Sequence, residues 1–276
     1  MEIFVNGKFL PASQATVSVQ DRGLLYGDGL FETIRAEAGR PLWLRQHLTR
    51  LAQSAAAINL ALPPDFPWDS QIQVLLQRNG LGRGLAAVKI LITRGEIAAL
   101  GLPATNQPTI IIYARQYEPP PAEEYRTGWP VMSFPERRTN FLSRHKSLNY
   151  LFCLAARQYA VDRGSREGLI LETDGAVSEG STAGLLWQED DTFFTPLSEN
   201  ALPSVTVAVL QEALSHWRGI AVGAQPVTVA RLCLAQGVWL ANSLMGLLPV
   251  SSLDGQTVSV SVETQRLNEL LWSKAD

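Results

Sequence analysis

The stretch Tyr117-Glu118-Pro119-Pro120-Pro121-Ala122-Glu123-Glu124 decides the architecture. Proline fixes φ and has no N–H to donate, so three in a row belong inside neither a sheet nor a helix. Consecutive prolines also stiffen the chain into an extended spacer. The stretch therefore predicts a boundary: a smaller N-terminal domain over 1–116, an interdomain linker over 117–127, and a larger C-terminal domain over 128–276.

Upstream, Ile3-Phe4-Val5 and Lys8-Phe9-Leu10 flank Asn6-Gly7, a pair suited to a two-residue primed turn, which predicts a hairpin. Strands are expected over 30–36, 40–44, 86–93 and 109–115, and helices over 45–59 and 68–79. Downstream, the pattern predicts a strand over 129–134 and a helix over 147–162. Two strand pairs follow, 169–172 with 176–178 and 185–188 with 193–195. A helix over 205–217, a strand over 238–241 and a terminal helix over 263–272 complete it. The expected class is α+β, in two unequal domains.

With 276 residues, 46% apolar and 18% charged, the chain can bury a sizeable core, which excludes disorder as its main state. A net charge of −3 argues against a broad electrostatic footprint for nucleic acid. Two cysteines, Cys153 and Cys233, cannot build a disulfide framework, and the histidines His47, His145 and His216 are scattered, so no metal site is expected. The N-terminus lacks a basic segment followed by an apolar one, and no apolar run reaches the ~18 residues of a membrane span. A cytoplasmic protein with no membrane partner is expected.

Arg144-His145-Lys146-Ser147-Leu148-Asn149-Tyr150 places three basic residues at a predicted helix start, already the positive end of a helix dipole. The heptamer reads either as a solvated basic turn or as a lysine with a lowered pKa, able to attack a carbonyl and form a Schiff base. On that helix Tyr150 would share a face with Lys146. In Val177-Ser178-Glu179-Gly180-Ser181-Thr182-Ala183-Gly184, small and hydroxyl residues after a strand make either an ordinary turn or a phosphate cradle. Glu179 makes sense there if the ligand also carries a ring nitrogen that must stay protonated. Leu202-Pro203-Ser204-Val205-Thr206 and Ala241-Asn242-Ser243-Leu244-Met245-Gly246 add hydroxyls that either cap helices or, with Arg50, bind a phosphate dianion. A reactive lysine, a carboxylate and phosphate donors are what pyridoxal phosphate needs.

Four segments in this order then carry a resemblance: Tyr26-Gly27-Asp28-Gly29-Leu30-Phe31-Glu32-Thr33-Ile34-Arg35, His47-Leu48-Thr49-Arg50-Leu51, Lys146-Ser147-Leu148-Asn149-Tyr150 and Ser178-Glu179-Gly180-Ser181-Thr182-Ala183. The chain resembles the class IV (fold type IV) pyridoxal-phosphate enzymes over about residues 3–250. That family holds branched-chain and D-amino-acid aminotransferases and 4-amino-4-deoxychorismate lyase. The resemblance implies that Lys146 links to the cofactor and shuttles protons, Glu179 pairs with the pyridine nitrogen, and Tyr150 contacts the phenolic oxygen. It gives the phosphate to Arg50, Ser181, Thr182, Val205, Thr206 and Ser243, and the substrate to Tyr26, Phe31, Lys89, Arg94 and Asn242. A homodimer is also implied. Ser204 and Val207 depart from the family, which often has glycine and arginine there.

The tail Asn242-Ser243-Leu244-Met245 followed by Pro249-Val250 resembles the lyase branch, as does Lys89-Ile90-Leu91-Ile92-Thr93-Arg94-Gly95. Lys89 also reads as an ordinary strand-edge lysine. Many lyases carry an arginine shortly after this Arg-Gly pair, whereas Gly95-Glu96-Ile97-Ala98-Ala99-Leu100-Gly101-Leu102 has none. Lys89, Arg94 or a partner's arginine would then serve the anionic substrate. The expected reaction is cleavage of 4-amino-4-deoxychorismate to 4-aminobenzoate and pyruvate, a step of folate biosynthesis. The alternative is transamination of D-amino or branched-chain acids.

Overall fold

In the computed structural model, which describes residues 1–104 and 107–274, Asn6 and Gly7 both adopt positive φ (46° and 89°). They close the predicted hairpin in the register Val5↔Lys8, Phe4↔Phe9 and Ile3↔Leu10. The chain divides into two compact units, Met1–Glu118 with His145–Asn149, and Pro119–Arg144 with Tyr150–Asp276.

The first unit runs β1 (Glu2–Val5), β2 (Lys8–Pro11), α1 (Arg22–Tyr26), β3 (Gly29–Glu37), β4 (Arg40–Pro41), α2 (Leu44–Ala57), α3 (Trp68–Arg78), β5 (Leu85–Thr93) and β6 (Thr109–Gln116). Its strands form one antiparallel sheet in the order β2-β1-β6-β5-β3-β4. The period-two alternation of side chains gives the sheet two unlike faces. On one, Leu30, Ile34, Val88, Ile90, Ile92 and Ile112 are fully buried, with Leu51 of α2 and Ile72, Leu75 and Leu76 of α3 also in the core. Each such side chain contributes about 1.5–3 kcal/mol of burial. The other face carries Phe31, Thr33 and Arg35 from β3, Ala87, Lys89 and Leu91 from β5, and Ile111, Tyr113 and Arg115 from β6. Most of its residues are only half-buried.

The second unit runs α4 (Ala122–Thr127), β7 (Trp129–Arg137), α5 (Leu151–Val161), β8 (Glu167–Leu171), β9 (Val177–Gly180), β10 (Gly184–Glu189), β11 (Thr192–Pro196), α6 (Val205–Arg218), β12 (Val222–Gln225), α7 (Val229–Leu232), β13 (Gly237–Asn242), β14 (Gly246–Leu253), β15 (Gln256–Thr257) and α8 (Thr264–Trp272). Its mixed sheet has the order β12-β11-β10-β13-β14-β7-β8-β9, with β15 beside β14. Trp187, Leu169, Leu185, Leu240, Leu248 and Val250 form the centre of its core. Among the described residues no helix is long and apolar enough to cross a membrane, and no group of three or more His, Cys, Asp or Glu could hold a metal ion.

Two expectations are corrected. The stretch 117–127 is not all linker, because Ala122–Thr127 is helical. Pro121 stands just before this helix, and Glu123 and Glu124 lie in its first turn, placements that favour a start over a break. The helix expected over 147–162 begins only at Leu151. Residues 146–148 instead pair along β3: the Phe31 N–H donates to the Lys146 carbonyl (2.8 Å) and the Leu148 N–H to that of Gly29 (2.9 Å). Lys146 is therefore held by a strand and not by a helix N-terminus, and it does not share a helix face with Tyr150.

Candidate active site

In the first unit, β3 presents Phe31 on the half-buried side of its sheet. Two amines share that ring: Lys146 Nζ lies 4.7 Å from its centroid and Lys89 Nζ 4.5 Å. The structure thus brings Phe31, Lys89 and Lys146 together. Burial, reinforced by the positive charge of Arg115, lowers the Lys89 pKa.

On the opposite face Glu32, the neighbour of Phe31, meets α2. Arg50 donates Nε and Nη2 to its carboxylate at 2.8 and 2.6 Å, and His47 donates Nδ1–H at 2.8 Å. Burial alone would raise the Glu32 pKa, but the Arg50 guanidinium and the His47 N–H overturn this and hold it at about 2. Burial keeps His47 neutral by lowering its pKa. Glu32, itself held by His47, therefore fixes the fork of Arg50, the residue that the resemblance gives to the cofactor phosphate.

A pH dependence follows with a definite sign. A carboxylate whose folded pKa lies below its unfolded value of 4.5 stabilises the protein fully above pH 4.5, and that stability is lost as pH falls toward 2. The difference is worth about 3 kcal/mol. His47 acts in the same direction from about pH 6.5 downward, because the unfolded chain binds its proton more readily. Urea unfolding at pH 7, 5 and 3.5 is expected to show falling stability, and Glu32→Gln to flatten the fall between pH 5 and 3.5. An unchanged slope in the variant would remove Glu32 as its source.

The remaining first-unit candidates divide. Tyr26 is exposed, with the Arg22 guanidinium 5.0 Å from its ring centroid. Arg94 is not available to a substrate. It is fully buried, and its donors reach Asp28 (2.8 and 3.0 Å) and the carbonyls of Ile58, Asn59 and Pro103 (2.8, 2.7 and 2.7 Å). All five N–H groups are used in holding loops together. Burial pushes the Asp28 pKa up, but Arg94 and Arg22 more than offset it and leave it lowered.

In the second unit, Glu179 of β9 is buried. It accepts from Arg138 Nη2 at 2.5 Å and from the Leu202 N–H at 3.2 Å. The guanidinium favours the carboxylate anion, which suits a cationic partner. Tyr150 stands at the entry to α5 and donates its hydroxyl to the Ser181 carbonyl at 2.7 Å. Burial raises its pKa well above the ordinary tyrosine value, so it remains a neutral donor.

Ser181 and Thr182 differ from expectation. Both hydroxyls donate to Glu167, Thr182 at 2.5 Å, and the Ser181 N–H is taken by the Gly168 carbonyl at 2.8 Å. Glu167 is fully buried and also accepts from Arg157 at 2.8 Å and the Gly168 N–H at 3.0 Å. A buried carboxylate must collect donors, and this one takes Ser181's hydroxyl and leaves that residue no donor for a phosphate.

Val205 and Thr206 open α6, where first-turn N–H groups have no intrahelical acceptor and favour an anion. Ser204 caps this helix, its hydroxyl accepting from the Val207 N–H at 3.3 Å. That gives the departure from glycine a local purpose. Gly184 makes the close fit possible, since a Cβ there would lie 2.9 Å from the Ser204 Cβ. Asn242 serves the turn that contains Ser243 and not a substrate: Oδ1 accepts from the Leu244 and Met245 N–H groups (3.1 and 3.0 Å), and Nδ2 donates to the Thr182 carbonyl (3.3 Å). Hydrogen bonds and close packing thus join Tyr150, Glu179, the 181–182 loop, the start of α6 and the 242–243 turn into one cluster.

Sequence reasoning missed Arg138, Glu167 and the Glu32–His47 pair. A signal existed for each: Glu167 heads a wholly buried strand, Glu179 needed a cation, and Glu32 and His47 stand inside motifs already singled out.

Residues 29–253 match the model of the amino-transferase class IV family. The chain belongs to that family. Among class IV relatives, a provisionally named branched-chain-amino-acid aminotransferase of Methanocaldococcus jannaschii is 32% identical, covering 98% of this chain and 94% of that protein. The aminodeoxychorismate lyase of Bacillus subtilis is 27% identical, covering 99% and 94%. The solved structure of the Escherichia coli branched-chain amino acid aminotransferase superposes with a TM-score of 0.85 at 26% identity, covering 97% of this chain and 92% of that one. The expected α+β, two-domain class IV fold is therefore the fold observed. Class IV members with differently named reactions lie at similar distances, so overall similarity does not select the reaction.

Proposed function

We propose that this class IV enzyme is a pyridoxal-phosphate-dependent lyase that converts 4-amino-4-deoxychorismate into 4-aminobenzoate and pyruvate. Class IV aminotransferases bind pyridoxal phosphate, and the donor set here fits it. Glu179, ion-paired with Arg138, suits a protonated ring nitrogen. In the second unit the first turn of α6 and Ser243 suit a phosphate dianion, to which the resemblance also gives Arg50. Tyr150, kept neutral by burial, is proposed to turn its one hydroxyl hydrogen from the Ser181 carbonyl to the phenolic oxygen when the cofactor is bound. When bound, the cofactor supplies an electron sink for charge left on the substrate carbon beside the amino group.

The chain's own residues then have these tasks. Lys146 Nζ takes the proton from the ring carbon that bears the amino group. It then returns a proton to the methylene carbon of the departing enolpyruvyl group, which leaves as pyruvate. Phe31 packs beside that amine and keeps water from it. Aromatisation of the ring drives the cleavage.

The observation that carries the lyase reading is the tail. The Asn242-Ser243-Leu244-Met245 segment is held as a defined turn by the Asn242 side chain, which also ties it to Thr182. The Bacillus subtilis relative supports this reading, and the Methanocaldococcus jannaschii relative favours transamination as the second. Holoenzyme assayed side by side with aminodeoxychorismate, D-alanine with 2-oxoglutarate, and leucine with 2-oxoglutarate is expected to give the highest kcat/KM for aminodeoxychorismate. A higher value for either amino acid would assign the chain to the aminotransferases. As in the resemblance, the working form is proposed to be a homodimer.

A further inference from the structure

Arg94 is spent inside the fold and no arginine stands in the stretch 96–102, so a substrate with two carboxylates must find its cations elsewhere. The half-buried face of the first unit's sheet offers one. Lys89 on β5 is paired with Tyr113 on β6, and Arg115 stands two residues beyond Tyr113, opposite Ala87. The two cations are thus diagonal neighbours on one face, and such neighbours are within reach for long side chains. Among the described residues neither has a carboxylate within 4 Å, and the acid of that face, Glu37, lies 3.9 Å from Arg35. Lys89 at the same time shares the Phe31 ring with Lys146. Two cations side by side, one half-buried, repel each other, and that repulsion is relieved when an anion sits between them.

We propose that Arg115 completes, with the Lys89 that the resemblance already gives to the substrate, an anion subsite that binds the substrate carboxylate remote from the reacting amino group, and so selects dicarboxylate over monocarboxylate substrates. Arg115 supplies the forked donors and Lys89 the point charge, with Tyr113 opposite Lys89 in the register and two residues from Arg115. The subsite rests on Lys146 being the reactive amine, but not on whether the reaction is cleavage or transamination.

The test uses holoenzyme and the unreactive probes isophthalate and benzoate, with affinities measured by calorimetry. Arg115 is exposed, so Arg115→Gln is expected to fold, which is checked by its unfolding midpoint. Isophthalate is expected to bind Arg115→Gln and Lys89→Gln about 10- to 100-fold more weakly, the loss typical of a hydrogen bond to a charged group. Benzoate affinity should change less than twofold, and Arg115→Lys should recover part of the loss. In turnover, the loss should lie in KM and not in kcat. If aminodeoxychorismate is not cleaved yet isophthalate binding still depends on Arg115, the subsite stands and the lyase reading falls. If cleavage proceeds and neither isophthalate affinity nor KM responds to Arg115→Gln, the subsite falls alone.

Discussion

Replacing Lys146 by alanine is expected to lower turnover about a thousandfold, the scale of a lost general acid–base group. The main chain at this position does not depend on the side chain. The Phe31 N–H still donates to the carbonyl of residue 146, and the Leu148 N–H to that of Gly29, so the segment stays on β3. The variant should therefore unfold at nearly the wild-type midpoint while losing the chemistry. Borohydride reduction of the wild-type holoenzyme, followed by peptide mass analysis, should find the phosphopyridoxyl group on Lys146, and the variant should lack it there. Lys89 makes the experiment discriminating, because its amine approaches the same Phe31 ring at 4.5 Å. A label on Lys89 in the wild type would assign the reactive amine to the wrong lysine.

The second large effect is on stability. Arg94→Ala removes a fully buried cation and leaves the Asp28 carboxylate with Arg22 as its remaining partner. It also strips a donor from the carbonyls of Ile58, Asn59 and Pro103. Breaking a buried pair from one side costs about 3–5 kcal/mol, because the surviving charge stays desolvated. Arg94→Lys should recover less than half of this, since one ammonium cannot satisfy Asp28 and three separate carbonyls together. Urea denaturation measures both. A loss below about 1 kcal/mol for Arg94→Ala would show that the network is not structural, and would return Arg94 to the candidates for substrate binding.

Arg94 also shows where reading the sequence reaches its limit. A lone arginine after a strand looks the same whether it faces a ligand or a buried aspartate. The choice was made by Asp28, sixty-six residues away in sequence, and by three loop carbonyls. Local signals fared better. Asn6-Gly7 specified its turn through positive φ, and the alternating apolar residues of β3, β5 and β6 specified both faces of their sheet. Lys146 lies between these cases. The resemblance marks it as the reactive amine, but the helix expected to start there begins only at Leu151, because residues 146–148 pair with β3, more than a hundred residues upstream. Ser181 was misread for a related reason: its hydroxyl serves Glu167, and no pattern around residue 181 announces a buried carboxylate at that spot. The helix Ala122–Thr127 was hidden by the prolines that start it.

The proposed reaction is cleavage of an amino-dicarboxylate into an aromatic amine and pyruvate. Its most direct test is the product balance of holoenzyme supplied with enzymatically made aminodeoxychorismate and no amino-group acceptor. 4-Aminobenzoate and pyruvate are expected in equal molar amounts, continuing for many turnovers per active site. Absence of 4-aminobenzoate, with 2-oxo acids formed when D-alanine or leucine is supplied instead, would contradict it.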